Sequence, residues 1–171
     1  MIRHTKYFGA LLATAAALLW LAIVGLSTAR ADDAAVAQLD RHFPRSSLQI
    51  ATPDARLHKF DVWVADDDAR RARGLMFVTK MPDQQGMLFI YPKAQPIAMW
   101  MKNTHIPLDM LFVRADGRVA RVVENTTPMS TKTIESGEPV LAVIELNGGV
   151  AKRNNIRVGA QVIHPVFSTQ P

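Results

Sequence analysis

The chain has 171 residues, no cysteine and a formal net charge of +5, from 20 Lys+Arg against 15 Asp+Glu. Without cysteine there is no disulfide framework, no thiolate metal site and no cysteine nucleophile, so the fold rests on its apolar core. Arg3, Lys6 and Arg30 lie in residues 1–31, where no acid occurs, leaving 17 basic against 15 acidic residues beyond it (17 − 15 = +2) and little compositional support for nucleic-acid binding.

The first segment is a targeting signal in layout. Arg3 and Lys6 precede an uncharged apolar run from Phe8 to Leu26, and Ala29-Arg30-Ala31 forms a small-x-small site before Asp32 and Asp33. The run is also long enough to cross a bilayer. Residues 1–31 are therefore read as a signal peptide cleaved after Ala31 or as an uncleaved signal anchor held in the inner membrane by residues 8–26. Either way the rest of the chain is expected to be periplasmic or otherwise exported, touching the membrane only through that segment. What remains, 171 − 31 = 140 residues, suffices for one domain.

Residues 32–47 read as a tail or spacer with a short helix at Ala34–Leu39, and the domain is expected over 48–168. Leu57–Ala65 alternates as a half-buried strand, with Phe60, Val62 and Val64 inward and Lys59, Asp61 and Trp63 outward. Asp66 is the expected N-cap of a short helix that carries Asp67 and Asp68 in its first turn, Arg70, Arg71 and Arg73 near its end, and Gly74 beyond. Those arginines either complement the helix dipole or contact an anion. Met81–Met87 reads as a turn before the apolar "MLFIY". Leu108–Arg114 and Val119–Glu124 form a hairpin through Asp116-Gly117. Pro139–Leu146, apolar on both faces until Glu145, reads as a central strand. A short helix over Val150–Asn154 and a last strand through "QVIHPVF" follow. The expected class is α+β, mainly β: a small curled antiparallel or mixed sheet, or a barrel-like domain, with two short helices.

Several side chains are candidates for chemistry. Met99 and Met101, on one face of a strand that puts Trp100 on the other, could with His105 offer soft ligands to Cu(I), although methionines at this spacing also fill cores. His42, His58, His105 and His164 lack the paired spacing of a zinc site. Ser46, Ser47, Ser130, Ser136 and Ser168 lie outside any nucleophile elbow, although a triad could be drawn with His105 or His164 as base. Asp109 and Glu145 could be partly buried at one end of the sheet as an acid–base pair. The alternative has Asp109 fixing the Asn103–Pro107 turn and Glu145 pairing with Lys102 or Arg71. "LNGGVAKR" is a tight turn or a helix N-terminus facing an anion.

The order of these motifs is more specific than any one of them. "RARGLM" (Arg71–Met76), "GMLF" (Gly86–Phe89), "WMKNTHIPLDMLFV" (Trp100–Val113), the Asp-Gly hairpin and "VIELNGG" (Val143–Gly149) together resemble the bacterial and archaeal family called domain of unknown function 192, across Leu57–Val166. The resemblance implies a compact β-rich domain, often exported, with no assigned activity. Its pattern falls on Arg71, Gly74, Leu75, Met76, Gly86, Met87, Trp100, Met101, Lys102, Asn103, Thr104, Pro107, Leu108, Asp109, Glu145, Leu146 and Gly149, whereas Met99 and His105 lie where the family varies. "AKRNNIRVG" departs from the family's form, which more often has glycine near Asn155.

The functional expectation is non-catalytic binding of a polar small molecule, a glycan or an envelope protein by Arg71, Trp100, Lys102, Asn103, Thr104, Asp109 and Glu145, without a cofactor. An envelope glycan hydrolase or lyase using Asp109 and Glu145 is the enzymatic alternative, and a structural or interaction module the third.

Overall fold

The computed structural model describes residues 36–168, so the signal segment lies outside the described residues. Residues 36–42 are helical (α1). There follow β1 (Arg45–Ala51), β2 (Leu57–Ala65), α2 (Asp68–Arg73), β3 (Gln85–Met99), β4 (Leu108–Val113), β5 (Val119–Val123), β6 (Ile134–Asn147), α3 (Val150–Arg153), β7 (Gln161–Ile163) and α4 (Pro165–Ser168). All seven strands join one sheet in the order β5-β4-β6-β3-β2-β1-β7. Only β2 and β3 run parallel, and α2 lies in the connection between them. The expected mainly β, curled mixed sheet is observed.

The curl follows from which residues pack together. One apolar cluster draws on every strand, with Ile50, Val62, Leu88, Leu111, Val119, Ile144 and Val162 among its members, as only the inside of a curled sheet can. The bridge Arg118↔Gln161 joins the β4–β5 turn to β7 and brings the two ends of the sheet together at one corner. A second cluster lies on the outer face of the four central strands, where Trp63, Met87, Met110 and Val143 meet Leu39, Phe43, Leu75 and Met81. Sheets covered on both faces carry continuous apolar strands, which is why β4 is buried at all six positions.

Four local expectations are corrected. Residues 36–47 are not a spacer: Leu39 is 1% and Phe43 3% exposed, and β1 begins at Arg45. Trp63 does not face solvent, because α1 covers that face and the indole N–H donates to Asp40 Oδ1 at 2.8 Å. The N-cap of α2 is Asp67, whose side chain accepts from the Arg70 N–H. The last strand stops at Ile163, and Pro165 opens α4 instead. Four helices are described where the domain was expected to hold two: α1 falls where a short helix was read at Ala34–Leu39 outside the domain, and α4 was not expected.

The hairpin and the central strand are as read. Gly117 takes φ +80° in the β4–β5 turn, and β6 pairs with both β3 and β4. The departure near Asn155 also has a reason: this asparagine holds φ +53° after α3, a left-handed conformation that glycine or asparagine tolerates.

Candidate functional site

β3 ends at Met99, and the chain turns through Trp100–Pro107 under backbone control from two other loops. Met101 N–H donates to Ser130 O at 3.0 Å and Thr104 N–H to Met101 O at 3.1 Å. From the neighbouring loops, Phe77 N–H donates to Asn103 O at 2.8 Å and Met129 N–H to Thr104 O at 3.0 Å. The turn buries Met101 fully and leaves Trp100 51% exposed. Lys102 lies over the Trp100 ring, its Nζ 5.3 Å from the centroid.

Beside this turn the outer face of the sheet holds a cavity of about 260 Å³. Arg71, Trp100, Lys102, Thr104 and Glu145 all line it, together with Arg73 and Met76, and Phe89, Tyr91 and Met99 of β3. Five of the seven sequence-derived site residues thus meet at one opening. The α2 helix carries Arg71 there because Gly74, its C-cap at φ +49°, turns the chain back over Phe89.

Most polar groups of the cavity are already committed. The Arg71 guanidinium donates to Ile90 O at 2.7 Å and to Asp68 Oδ1 at 2.6 Å, and sits 5.3 Å from the Tyr91 centroid. Tyr91 O–H donates to Met99 Sδ at 3.5 Å, and burial pushes the phenol up to about 12. Glu145 is different. It is 4% exposed, and among the described residues it forms no ion pair within 4.0 Å, so neither Lys102 nor Arg71 neutralises it. Burial alone pushes its carboxyl up to about 8, where it holds its proton at neutral pH.

Asp109 is not part of this cavity. Cross-strand register sets Asp109 opposite Leu146 and Met110 opposite Glu145. Since neighbours along a strand face opposite sides, Asp109 points into the curl and Glu145 onto the outer face. The Asp109 carboxylate accepts three backbone N–H groups: Asn125 and Gly149 at Oδ1 (2.8 and 3.0 Å), and Ala151 at Oδ2 (2.8 Å). It ties the start of α3 to β4, and the acid–base pair required by a glycan hydrolase is not formed. Asn103 also lies outside the cavity: it adopts φ +56° in the turn and donates to Met76 Sδ at 3.8 Å.

The copper set is scattered in the same way. Met101 is in the core and accepts from Thr126 Oγ1 at 3.1 Å, Met99 lines the cavity, and His105 is exposed 6.3 Å from the Phe77 ring. Met99 and Trp100 line one cavity rather than opposite strand faces, because the strand has ended between them. No cluster of three His, Asp or Glu suited to a metal exists among the described residues. Ser46 does meet His164, Oγ to Nε2 at 3.0 Å. However, Nδ1 accepts the Val166 N–H at 3.2 Å, which assigns the ring proton to Nε2 and makes it a donor to Ser46. That tautomer cannot take the serine proton.

Tyr91, Arg73, Phe89 and Met76 were missed as site residues. The available signal was Tyr91 itself, a phenol at the end of an apolar strand whose hydroxyl needs a partner.

These features define a small domain of curled, mixed β-sheet with a pocket on its outer face. The sequence pattern of domain of unknown function 192, described as uncharacterized ACR, matches residues 49–164, and the chain belongs to that family. Two crystal structures are similar. One, from Sinorhizobium meliloti 1021 and provisionally called a transcription regulator, is 39% identical with a TM-score of 0.70, covering 71% of this chain and 94% of that one. The other, a protein of unknown function from Novosphingobium aromaticivorans DSM 12444, is 35% identical with a TM-score of 0.68, covering 70% and 85%. Among curated proteins none matches.

Proposed function

We propose that this chain is an exported, non-catalytic binding protein that takes a small polar ligand into the pocket between α2 and the end of β3. The observation that carries this is Glu145, a buried carboxyl lining an open cavity with no partner among the described residues. A polar group is left so only at a cost, and a bound molecule or water would remove it. Trp100 and Lys102 at the rim add a flat apolar face and a cation. Export rests on the N-terminal signal pattern.

The test is a native mass spectrum of protein purified gently from the envelope fraction, set against its denatured mass. Extra mass that disappears on denaturation, and is lost in Trp100→Ala and Lys102→Ala variants that melt like wild type, is the expected result. An adduct untouched by both substitutions, or a bare native mass with no ligand-induced change at the pocket's amide resonances, overturns the reading. The denatured mass also reports cleavage after Ala31.

A second reading, a docking module, has its own support. Phe77 and Met129 hold φ +67° and +62°, costly for bulky residues, and each is exposed beside the Trp100–Pro107 turn. A partner bound there would be lost on Phe77→Ser with the pocket intact.

A further inference from the structure

Once the committed groups of the pocket are set aside, what remains is one ionisable carboxyl and two cations. Arg71 is balanced in charge by Asp68 and gives a second N–H to the Ile90 carbonyl, and Tyr91 gives its one O–H to the Met99 sulfur. Left over are the Glu145 carboxyl, the Lys102 ammonium and the Arg73 Nε–H, a buried donor with no hydrogen-bond partner. Glu145 lies within 4.0 Å of no cation among the described residues, so its requirement is not met by Lys102 or Arg73. Phe89, Trp100, Met76 and Met99 also line the cavity.

We infer that the ligand is a small zwitterion of α-amino-acid kind, its ammonium seated against Glu145, its carboxylate toward Lys102 and Arg73, and its side chain on the aromatic and thioether wall. This rests on the pocket-binding reading above and narrows it. An anion alone would meet Lys102 and Arg73 but leave Glu145 a protonated acid, with no proton released on binding, and an amine alone would face Lys102 and Arg73 without a counter-charge. A neutral sugar could hydrogen-bond to all three but would neutralise none of them. The ligand fits a cavity of about 260 Å³.

The inference has a signature that simple occupancy lacks. Free Glu145 holds a proton at pH 7, because burial has raised it to about 8. The charged groups facing it are Arg71 and Arg73 from α2 and Lys102 from the turn, with the neutral phenol of Tyr91 from β3, and none forms an ion pair with it among the described residues. An arriving ammonium favours the ionised carboxyl, so binding releases that proton to solvent.

The experiment is isothermal titration of the purified protein at pH 7 in two buffers of different ionisation enthalpy. The probes are the twenty α-amino acids, phenethylamine, 3-phenylpropionate and glucose, with amide resonances of Tyr91, Trp100 and Lys102 followed in parallel. The expected result is binding of one or more amino acids with release of close to one proton. Neither the amine nor the acid competes, and both the proton and about tenfold or more of the affinity are lost in Glu145→Gln. Lys102→Ala weakens binding but keeps the proton. Binding of 3-phenylpropionate or glucose without proton release overturns the zwitterion and leaves the pocket reading standing. No resonance change with any probe overturns the zwitterion, and a bare native mass alongside it overturns the pocket reading too. Unaltered binding by Glu145→Gln also removes the inference.

Discussion

Asp109 was expected in the site, and its surroundings make a sharp test of a purely structural role. Asp109→Ala removes the acceptor for three backbone N–H groups, those of Asn125, Gly149 and Ala151, at a residue with no solvent exposure. Water cannot replace the carboxylate without opening the interior of the sheet. At about 1–3 kcal/mol for the buried Ala151 donor and about 0.5–1 kcal/mol for each of the part-buried Asn125 and Gly149 donors, the loss is on the order of 2–5 kcal/mol, a large share of the ~5–15 kcal/mol that holds a domain together. Asp109→Asn is the finer probe. One amide oxygen can still accept from Asn125 and Gly149, but the NH2 then confronts the Ala151 N–H, so roughly half the penalty remains. Urea denaturation followed by far-ultraviolet circular dichroism reads both variants, and the midpoint should fall in the order wild type, Asn, Ala with little change in slope. A loss below about 1 kcal/mol for Asp109→Ala would show that the three bonds do not hold α3 in place.

The remaining expectations concern the outer face and the strand contacts. Glu145 sits higher in the folded than in the unfolded state, about 8 against 4.5, so folding takes up a proton between those values. Its contribution is therefore most favourable below pH 4.5, declines toward pH 8 by about 1.4 kcal/mol per pH unit at the steepest, and is flat above. Glu145→Gln should flatten that window in a series of urea melts, and parallel curves for the two proteins would refute the assignment. In Gly86→Ala the new Cβ would stand 2.5 Å from the Glu145 carbonyl oxygen and 2.8 Å from Leu146 Cδ2, separating β3 from β6. A cost of about 2–3 kcal/mol is expected, and a melting temperature equal to wild type would contradict it. Deleting residues 32–47 in a Trp100→Phe background should uncover Trp63, giving red-shifted, quencher-accessible emission. Unchanged emission would mean that α1 does not cover that face.

The parts of the fold written in local chemistry could be read from the sequence. Asp116-Gly117 between two apolar runs specifies a turn, and Pro139–Leu146 without polar alternation specifies a strand covered on both sides. Trp63 was misjudged because its neighbours Lys59 and Asp61 are polar, while its partner Asp40 in the helix covering it is 23 residues earlier in the chain. Period-two patterning cannot reveal such a cover. The site divided in the same way. Arg71, Trp100, Lys102, Thr104 and Glu145 stand out as polar or amphipathic groups beside apolar strands, and they do converge. Assigning Asp109 to them needed the pairing register of β4 with β6, and a one-residue difference in register decides which face a carboxylate occupies. Nor could the sequence show that the Arg71 charge is met by Asp68 and one of its donors by a carbonyl, which shifts the weight of the pocket to Lys102 and Glu145.

The bridge between the β4–β5 turn and β7 also orders the assembly of the molecule in time. β7 pairs with β1, Gln49 facing Ile163, and clips onto Gly117 through the Val162 N–H. The sheet is thus fastened by the strand that comes last in chain order among the described residues, against the first. Until residues 161–163 arrive, β1 has an open edge and the apolar lining of the curl is accessible from one side. Contacts so distant in sequence are slow to form. A chain in which β7 has not docked therefore holds an unlatched sheet, with one edge of β1 unpaired and the corner at Gly117 open.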